Sequence, residues 1–229
     1  MRRFYSEVAV VGEAGGFGIA LDGKPVRTPA RAAFVVPGAM LAEAIANEWA
    51  AQGDVITPAT MKLTAMANAA IDLAAPTMTA FAVPLIAYGQ SDLLCYRADE
   101  AELATEQARA WNPILGWAER RYGVEFALTV GIVPVAQPPA TLGALADAVH
   151  ALDAFRLAAL APLVTIGGSL VTGLALIARA FDIDTLWDAV TLDEMWQEAR
   201  WGAVDDAVEA REAKQREWLN AARFLALLG

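Results

Sequence analysis

The sequence predicts an α+β protein, with a mixed α/β N-terminal domain over residues 1–137 and a helical C-terminal bundle over residues 138–229. Three observations predict this class. Apolar and small residues alternate over residues 17–21, as in a half-buried strand. From Leu41 onward, apolar residues recur mostly at helical spacing. The proline group at residues 137–139 is the clearest break in the chain, so it marks the predicted domain boundary.

The first elements are β-strands. Residues 8–11 and 17–21 predict two strands, and Asp22-Gly23 is a strong hairpin turn signal that leads into a partner strand near Val26. Residues 34–36 predict one more short strand before the pattern becomes helical.

The middle of the chain predicts helices with short strands between them. A helical face begins at Leu41 and ends near Gly53, and a second helix starts at Thr57-Pro58, where proline suits the first turn. Residues 102–122 predict a long helix that contains Pro113 and is ended by a glycine. Short strands are predicted at two places: residues 93–96 and residues 124–130.

The last third predicts only helices, including one beginning at Asp184 as an N-cap and a final helix that starts near Val204. Residues 157–178 carry no charge and are long enough to cross a bilayer. However, Pro162 and the glycine pair at residues 167–168 interrupt them, so we predict two buried helices that meet at the glycines. The alternative is a peripheral or integral membrane factor that uses this segment.

Composition excludes several classes of function. The net charge is −10, with no basic stripe that could displace counterions from phosphates, so we do not expect nucleic acid as a partner. Cys95 and His150 are the single cysteine and histidine, so we expect neither an internal disulfide nor a Cys/His metal site. Because residues 1–7 lack an apolar core, they do not resemble a secretory signal.

No catalytic motif is complete. Residues 18–24 match the spacing of a phosphate-binding loop that ends at Lys24, but Pro25 stands where serine or threonine should bind magnesium. The Asp182–Asp184 pair is better explained as a helix cap than as a phosphate-transfer site, and no Gly-x-Ser-x-Gly sequence exists. We therefore predict no enzyme and no cofactor. The alternative is a small-molecule or nucleotide-binding enzyme that uses the glycine-rich hairpin around Lys24.

The segment of residues 192–202 differs most from an ordinary core helix. It lies in an acidic region, residues 182–217, whose net charge is −7, and four of the seven tryptophans lie between positions 187 and 218. Tryptophan and arginine are enriched at interaction hot spots, and a carboxylate beside aromatic rings is either paired or exposed at a binding surface. We predict a partner-binding site there, formed by these residues: Glu194, Asp193, Trp196, Gln197 and Trp201.

Seven blocks, in order along nearly the whole chain, together resemble the family of ATP synthase assembly chaperones that hold the alpha subunit of the catalytic head. Lys62 departs from the family pattern, which usually has proline there, and the acidic segment after Trp201-Gly202 is spaced differently. The blocks are LDGKPVRTPAR (21–31), IANEWAAQ (45–52), ATMKLTAMANAAID (59–72), SDLLCYRADE (91–100), WNPILGW (111–117), GIVPVAQP (131–138) and LDEMWQEARWG (192–202).

The resemblance implies a mixed α/β N-terminal domain followed by an orthogonal helical bundle. It also implies a non-enzymatic chaperone that binds the newly made alpha subunit, covers the surface that later contacts the beta subunit, and leaves as the ring assembles. We expect it to be a monomer when free, without stable membrane insertion. The expected compartment is the bacterial cytoplasm, or the mitochondrial matrix for a processed eukaryotic form.

Overall fold

The computed structural model describes all of residues 1–229, and the chain divides into two compact units that are interleaved in sequence. The first unit comprises Met1–Met78, Asp153–Ala159 and Asn220–Gly229, and the second comprises Thr79–Leu152 and Leu160–Leu219. The α+β class is confirmed. Because the units are defined by packing rather than by sequence order, the predicted domain boundary between residues 137 and 138 stays a prediction.

The fold contains six strands and nine α-helices. The strands are β1 (Val8–Glu13), β2 (Gly16–Leu21), β3 (Lys24–Pro25), β4 (Val35–Val36), β5 (Tyr96–Arg97) and β6 (Thr129–Val130). The helices are α1 (Ala39–Ala50), α2 (Lys62–Ala69), α3 (Met78–Ala87), α4 (Ala101–Tyr122), α5 (Pro139–His150), α6 (Ala154–Gly167), α7 (Leu170–Ile177), α8 (Ile183–Trp201) and α9 (Asp205–Leu228).

The first unit is built on an antiparallel sheet. β1 pairs with β2 in a register that runs from Val8 opposite Leu21 to Glu13 opposite Gly16, and β2 also pairs with β3 and β4. The predicted turn between β2 and β3 is confirmed, because Asp22 and Gly23 both adopt positive φ, at 48° and 76°. That combination suits the twist of a two-residue hairpin.

The core of the first unit lies between this sheet and α1. Leu41 and Ile45, four residues apart on one face of α1, are fully buried with Ile19 and Val36 of the sheet in one hydrophobic cluster. Trp49 packs against the edge of the same cluster.

The second unit is organised around α4, which contacts α7 and α8. Trp111 of α4 is fully buried and donates its indole N–H to the carbonyl oxygen of Ala189 on α8, at 2.8 Å. Pro113 lies inside α4 without ending it, and Gly123 ends the helix in the left-handed conformation at φ 67°. Both features agree with the predicted helix.

The uncharged segment at residues 157–178 forms parts of α6 and α7. The helices are separated at Gly168, where φ is 66°, and Leu160, Leu163 and Val171 are fully buried. The prediction of two buried helices is therefore confirmed. A different helical run, Lys62–Cys95, is long and apolar enough to cross a membrane, a test that core helices of soluble proteins also pass.

Two short predicted strands are smaller than the sequence pattern indicates. Of residues 124–130 only β6 is a strand, because Gln137 bonds both the N–H and the carbonyl of Ala127, and Thr141 donates to the carbonyl of Glu125. These side chains occupy the groups that a strand ladder needs. Of residues 93–96, Leu93–Cys95 is a turn of 3₁₀ helix.

The Asp182–Asp184 pair caps α8, as predicted, but the N-cap itself was assigned to the wrong residue of the pair. Asp182, and not Asp184, is the N-cap, because its carboxylate accepts hydrogen bonds from the backbone N–H and the hydroxyl of Thr185, both at 2.8 Å. Asp184 instead lies in the first turn, where a negative charge is favourable beside the helix N-terminus.

Candidate functional site

The helical hairpin of α8 and α9 has an exposed apolar tip. α8 ends at Trp201, Gly202 turns the chain at φ 91°, and α9 begins at Asp205. Trp201 is 71% exposed and Val204 is 65% exposed. Large apolar side chains this accessible, close together at one turn, are typical of an interaction surface rather than of a core.

A groove of about 470 Å³ runs between the two helices below this tip. Its lining combines small and apolar side chains with a rim of charged ones. The lining residues are Glu194, Gln197, Glu198, Trp201, Gly202, Val204, Ala207, Ala210, Arg211 and Lys214. We call this feature the hairpin groove.

Two ion pairs join α8 to α9 along the hairpin groove. Glu194 pairs with Lys214 at 3.1 Å, and Glu198 pairs with Arg211. The first pair is half-exposed, whereas the second is largely covered, and the hydrogen bond that Arg211 donates to Glu198 raises the pKa of the Arg211 guanidinium. The outer pair is therefore the one that a charged partner could reach.

The two indoles at the end of α8 support each other. Trp196 and Trp201 make an edge-to-face contact with ring centroids 5.8 Å apart, and the Arg200 guanidinium stacks over Trp196 at 4.8 Å. Arg200 is held in turn by Glu102 of α4 at 2.7 Å. Trp196 thus supports Trp201 from one side while Trp201 itself stays exposed.

Asp193 has a structural partner. Its carboxylate accepts a hydrogen bond at 2.8 Å from the side-chain amide of Gln107, and Gln107 accepts one at 2.7 Å from the backbone N–H of Ala98. Because Gln107 is buried, this chain of bonds fixes α8 to α4.

The structure brings together three of the five predicted site residues in the hairpin groove: Glu194, Gln197 and Trp201. Trp196 contacts Trp201 from outside the lining, and Asp193 faces α4 through Gln107. Whether any of the five binds a partner stays a prediction.

Sequence reasoning missed the contribution of α9 to the groove. Arg211 and Lys214, three residues apart, place two positive charges on one face of α9. On the same face, the small residues Ala210 and Ala207 lie one and two turns before Lys214. This pattern of small and basic residues is the signal that could have indicated a second wall of the groove.

The other chemical candidates lie apart from any catalytic arrangement. Lys24 is in β3, directly after the hairpin turn, and the next element is the strand β4 rather than a helix, so the interpretation of residues 18–24 as a phosphate-binding loop is wrong. Cys95 is fully buried, which raises the pKa of its thiol to about 12, and His150 is the exposed last residue of α5. No group of three or more His, Cys, Asp or Glu side chains could hold a metal ion.

Comparisons with known proteins agree with the resemblance seen in the sequence. The model of the ATP12 chaperone protein family matches residues 2–119. The mitochondrial protein atp12 of Schizosaccharomyces pombe is 24% identical over 221 residues, which cover 91% of this chain and 76% of the yeast protein.

Solved structures match over the whole chain. Atp12 from Paracoccus denitrificans, whose crystal structure is known, is 40% identical in sequence to this chain. The two structures superpose with a TM-score of 0.95, and the match covers 100% of this chain and 98% of the Paracoccus chain. A mutant of the same bacterial protein is 39% identical, with a TM-score of 0.96 and the same coverage.

The fold and these matches define a chaperone and not an enzyme. The chain belongs to the ATP12 chaperone protein family, and its resemblance to the ATP synthase assembly chaperones is confirmed.

Proposed function

We propose that this chain binds the unassembled alpha subunit of the ATP synthase catalytic head, prevents its aggregation and passes it on for assembly of the alpha/beta ring. Family membership supports an assembly chaperone with a protein client. The location of the binding site is supported by one observation: the exposed apolar side chains of Trp201 and Val204 lie beside a groove that has a charged rim.

The physical reason for such a surface lies in the client. A ring subunit without its neighbours exposes an apolar interface, and exposed apolar patches aggregate. A chaperone that covers this interface must also release it. A few aromatic anchors within a polar rim give affinity at the centre while leaving the total interface smaller than the one formed in the ring.

We assign different roles to the five predicted residues. Trp201 is the apolar anchor, and Trp196 holds it in place. Glu194 is the central polar contact and meets a basic group of the client, with Gln197 beside it as a hydrogen-bonding group. Asp193 acts indirectly, because it fixes the position of α8 through Gln107.

We further propose that the free protein is a monomer, without stable membrane insertion, in the bacterial cytoplasm. A processed eukaryotic form would work in the mitochondrial matrix. Relatives of both kinds exist, since the Schizosaccharomyces pombe protein is mitochondrial and the Paracoccus denitrificans protein is bacterial.

The deciding experiment is light scattering of the isolated alpha subunit with and without this protein. We expect the wild type to suppress aggregation at about equal molar amounts and Glu194→Lys to lose this effect. Glu209→Lys is the matched control, because Glu209 is exposed on α9 and does not line the groove. Unchanged aggregation with the wild-type protein would refute the proposed client, and full activity of folded Glu194→Lys would remove Glu194 from the site.

A further inference from the structure

The first unit contains a second pocket, of about 290 Å³, which the proposed function does not use. It lies where three segments meet: the chain before β1, the β2–β3 hairpin and the last turn of α1. Its lining residues are Phe4, Tyr5, Leu21, Asp22, Lys24, Pro25, Val26, Arg27 and Trp49. We call it the aromatic pocket.

One wall of the aromatic pocket is a row of three rings. Phe4 and Tyr5 meet edge to face at 5.4 Å, and Tyr5 meets Trp49 in the same way at 5.8 Å. The row is fixed because the Tyr5 hydroxyl donates to the carbonyl oxygen of Trp49 at 2.8 Å. Phe4, at the outer end, is 64% exposed. A rigid aromatic wall with an accessible ring suits an apolar side chain of a partner.

The rim of the aromatic pocket carries two positive charges that form no ion pair within the chain. Lys24 and Arg27 are exposed, and neither forms an ion pair. Other bases in this acidic chain are paired with carboxylates: Arg109, Arg156, Arg200, Arg211, Lys214 and Arg216.

The one carboxylate in the lining is already engaged. Asp22 accepts hydrogen bonds from the backbone N–H groups of Ser6 and Glu7, at 3.0 and 2.8 Å. These bonds lower the pKa of Asp22, as do the charges of Lys24 and Arg3, so the lining holds two bases, Lys24 and Arg27, against one carboxylate. The rim therefore presents net positive charge in a protein whose total charge is −10.

Trp49 adds an unsatisfied donor. Its indole N–H is buried and has no hydrogen-bond acceptor in the chain. Buried donors are normally paired, so an unpaired one in the wall of a pocket is a feature that needs an explanation. Because this nitrogen is buried, an acceptor in the pocket reaches it only if Trp49 moves, so the preference for acceptor oxygens rests on the cationic rim.

We propose that the aromatic pocket is a second docking site, and that it takes a partner peptide segment in which a carboxylate side chain stands next to an aromatic or large aliphatic one. The apolar side chain would lie against Phe4, the accessible ring of the row, with the buried Tyr5 behind it. The carboxylate would meet Lys24 and Arg27, since charge complementarity across the rim favours an acidic segment over a basic one.

The size and shape of the pocket favour a peptide side chain over a nucleotide. Small-molecule sites begin at about 300 Å³, so this pocket has room for one or two side chains. Phosphate groups are usually held by backbone N–H groups at a helix N-terminus. Lys24 instead lies in a strand, and α1 contributes its last turn to the pocket.

The test uses fluorescence anisotropy with three labelled, amidated peptides: Ala-Glu-Phe-Asp-Ala, Ala-Glu-Ala-Asp-Ala and Ala-Lys-Phe-Lys-Ala. We expect saturable binding of the first peptide below about 1 mM, the range of weak single-motif contacts. The second peptide, which lacks the ring, and the third, which has the wrong charge, should each bind about tenfold more weakly.

The variants locate this binding. Lys24→Glu and Phe4→Ser should each weaken binding of the acidic aromatic peptide about tenfold. Arg223→Glu is the matched charge control, because Arg223 is exposed on α9 in the same unit and does not line the pocket. Trp201→Ala should bind the peptide as the wild type does, since the hairpin groove belongs to the second unit.

Three results would overturn the proposal. They are absence of saturable binding by the first peptide, equal binding by the wild type and Lys24→Glu, and binding of ATP that displaces the peptide or replaces it. None of these results bears on capture of the alpha subunit by the hairpin groove, so the two proposals can fail separately.

Discussion

Glu194 on α8 and Lys214 on α9 hold their side chains 3.1 Å apart across the hairpin groove, and each side chain is about half exposed. The carboxylate that we assign to client binding is therefore already paired within the chain. Exposed ion pairs contribute about 0–1 kcal/mol to stability, because water and salt screen them. A basic group of the client can replace Lys214 at little cost, so the pair is compatible with a binding role.

Exchanging the two charges separates the internal ion pair from contact with the client. Glu194→Lys alone should abolish capture of the alpha subunit and place two positive charges together. The double variant Glu194→Lys with Lys214→Glu restores the ion pair, so its thermal midpoint should return to that of the wild type. Capture should stay absent, because the charge at position 194 is still reversed. The measurements are co-purification of the alpha subunit and thermal unfolding.

If the double variant captured the client as well as the wild type, the pair itself and not the charge at Glu194 would be the requirement. Glu194 would then be a structural residue of the α8–α9 hairpin.

Removal of the exposed indole should affect function more than stability. Trp201 is mostly exposed and contacts Trp196 by its edge, so Trp201→Ala should lower the free energy of unfolding by no more than about 1 kcal/mol. Its effect on capture should be at least about tenfold, or more than 1 kcal/mol, if the indole is an anchor. Urea unfolding and a titration of the alpha subunit measure the two quantities.

Met195→Ala is the control for this substitution. Met195 is also an exposed apolar residue of α8, but it does not line the hairpin groove. Equal loss of capture in both variants would mean that general apolar exposure, and not the groove, holds the client.

Local patterns in the sequence predicted much of the fold. Asp22-Gly23 specified the hairpin, Gly123 specified the end of α4, and the glycine break separated α6 from α7. Each of these depends on the backbone preferences of one or two residues, which sequence carries directly. The placement of Glu194, Gln197 and Trp201 on one face was likewise a consequence of helical periodicity.

Contacts between distant residues could not be predicted. Asp193 bonds Gln107, which lies 86 positions away, and Glu194 pairs with Lys214 only because the turn at Gly202 lets α9 pack beside α8. The strand predicted over residues 124–130 is longer than the observed one for the same reason. The side chain of Gln137 bonds the backbone of Ala127 in place of a neighbouring strand, and this contact arises from tertiary packing. The periodicity of a sequence indicates which residues share one face of a helix, but not which other element packs against that face.

Glu48 provides a capping interaction between helices. Its carboxylate oxygens accept hydrogen bonds from the backbone N–H groups of Leu63 and Thr64, both at 2.8 Å, and from the Thr64 hydroxyl at 2.7 Å. The carboxylate of α1 thus satisfies free N–H groups in the first turn of α2. Glu48→Ala should lower the free energy of unfolding by about 2 kcal/mol, measured in urea.

The control is Glu43→Ala, because Glu43 is exposed on the same helix. A similar small effect of both substitutions would show that α2 does not depend on the Glu48 carboxylate.

Gly16 lies at a close approach between two strands. A methyl group added there would be 2.2 Å from the carbonyl oxygen of Val36, a backbone atom that cannot move aside without distorting the pairing of β2 with β4. Gly16→Ala should therefore destabilise the protein by at least about 1–3 kcal/mol. Gly12→Ala, at a β1 position with no atom within 4 Å, should be nearly neutral. Equal urea midpoints for the two variants would contradict the close approach.

Asp92 should make the stability of the protein depend on pH. The side chain is fully buried, and its carboxylate accepts hydrogen bonds from the backbone N–H groups of Leu94 and Val171, at 3.1 and 3.0 Å. Burial raises the pKa of Asp92 to about 6, although these hydrogen bonds and one from Ser169 oppose the rise. The neighbouring Cys95 thiol stays protonated throughout this range, since its own pKa is about 12.

The direction of the effect follows from proton binding. Between the ordinary aspartate pKa, about 4, and the folded value, the folded state binds more protons than the unfolded state. The free energy of unfolding should therefore fall as the pH rises through this interval, by up to about 3 kcal/mol for a shift of about two units. Asp92→Asn has no proton to lose, so its unfolding free energy should lack this component. Urea unfolding of both proteins between pH 4 and pH 7 measures the difference, and parallel profiles would mean that Asp92 titrates as an ordinary, solvated carboxylate.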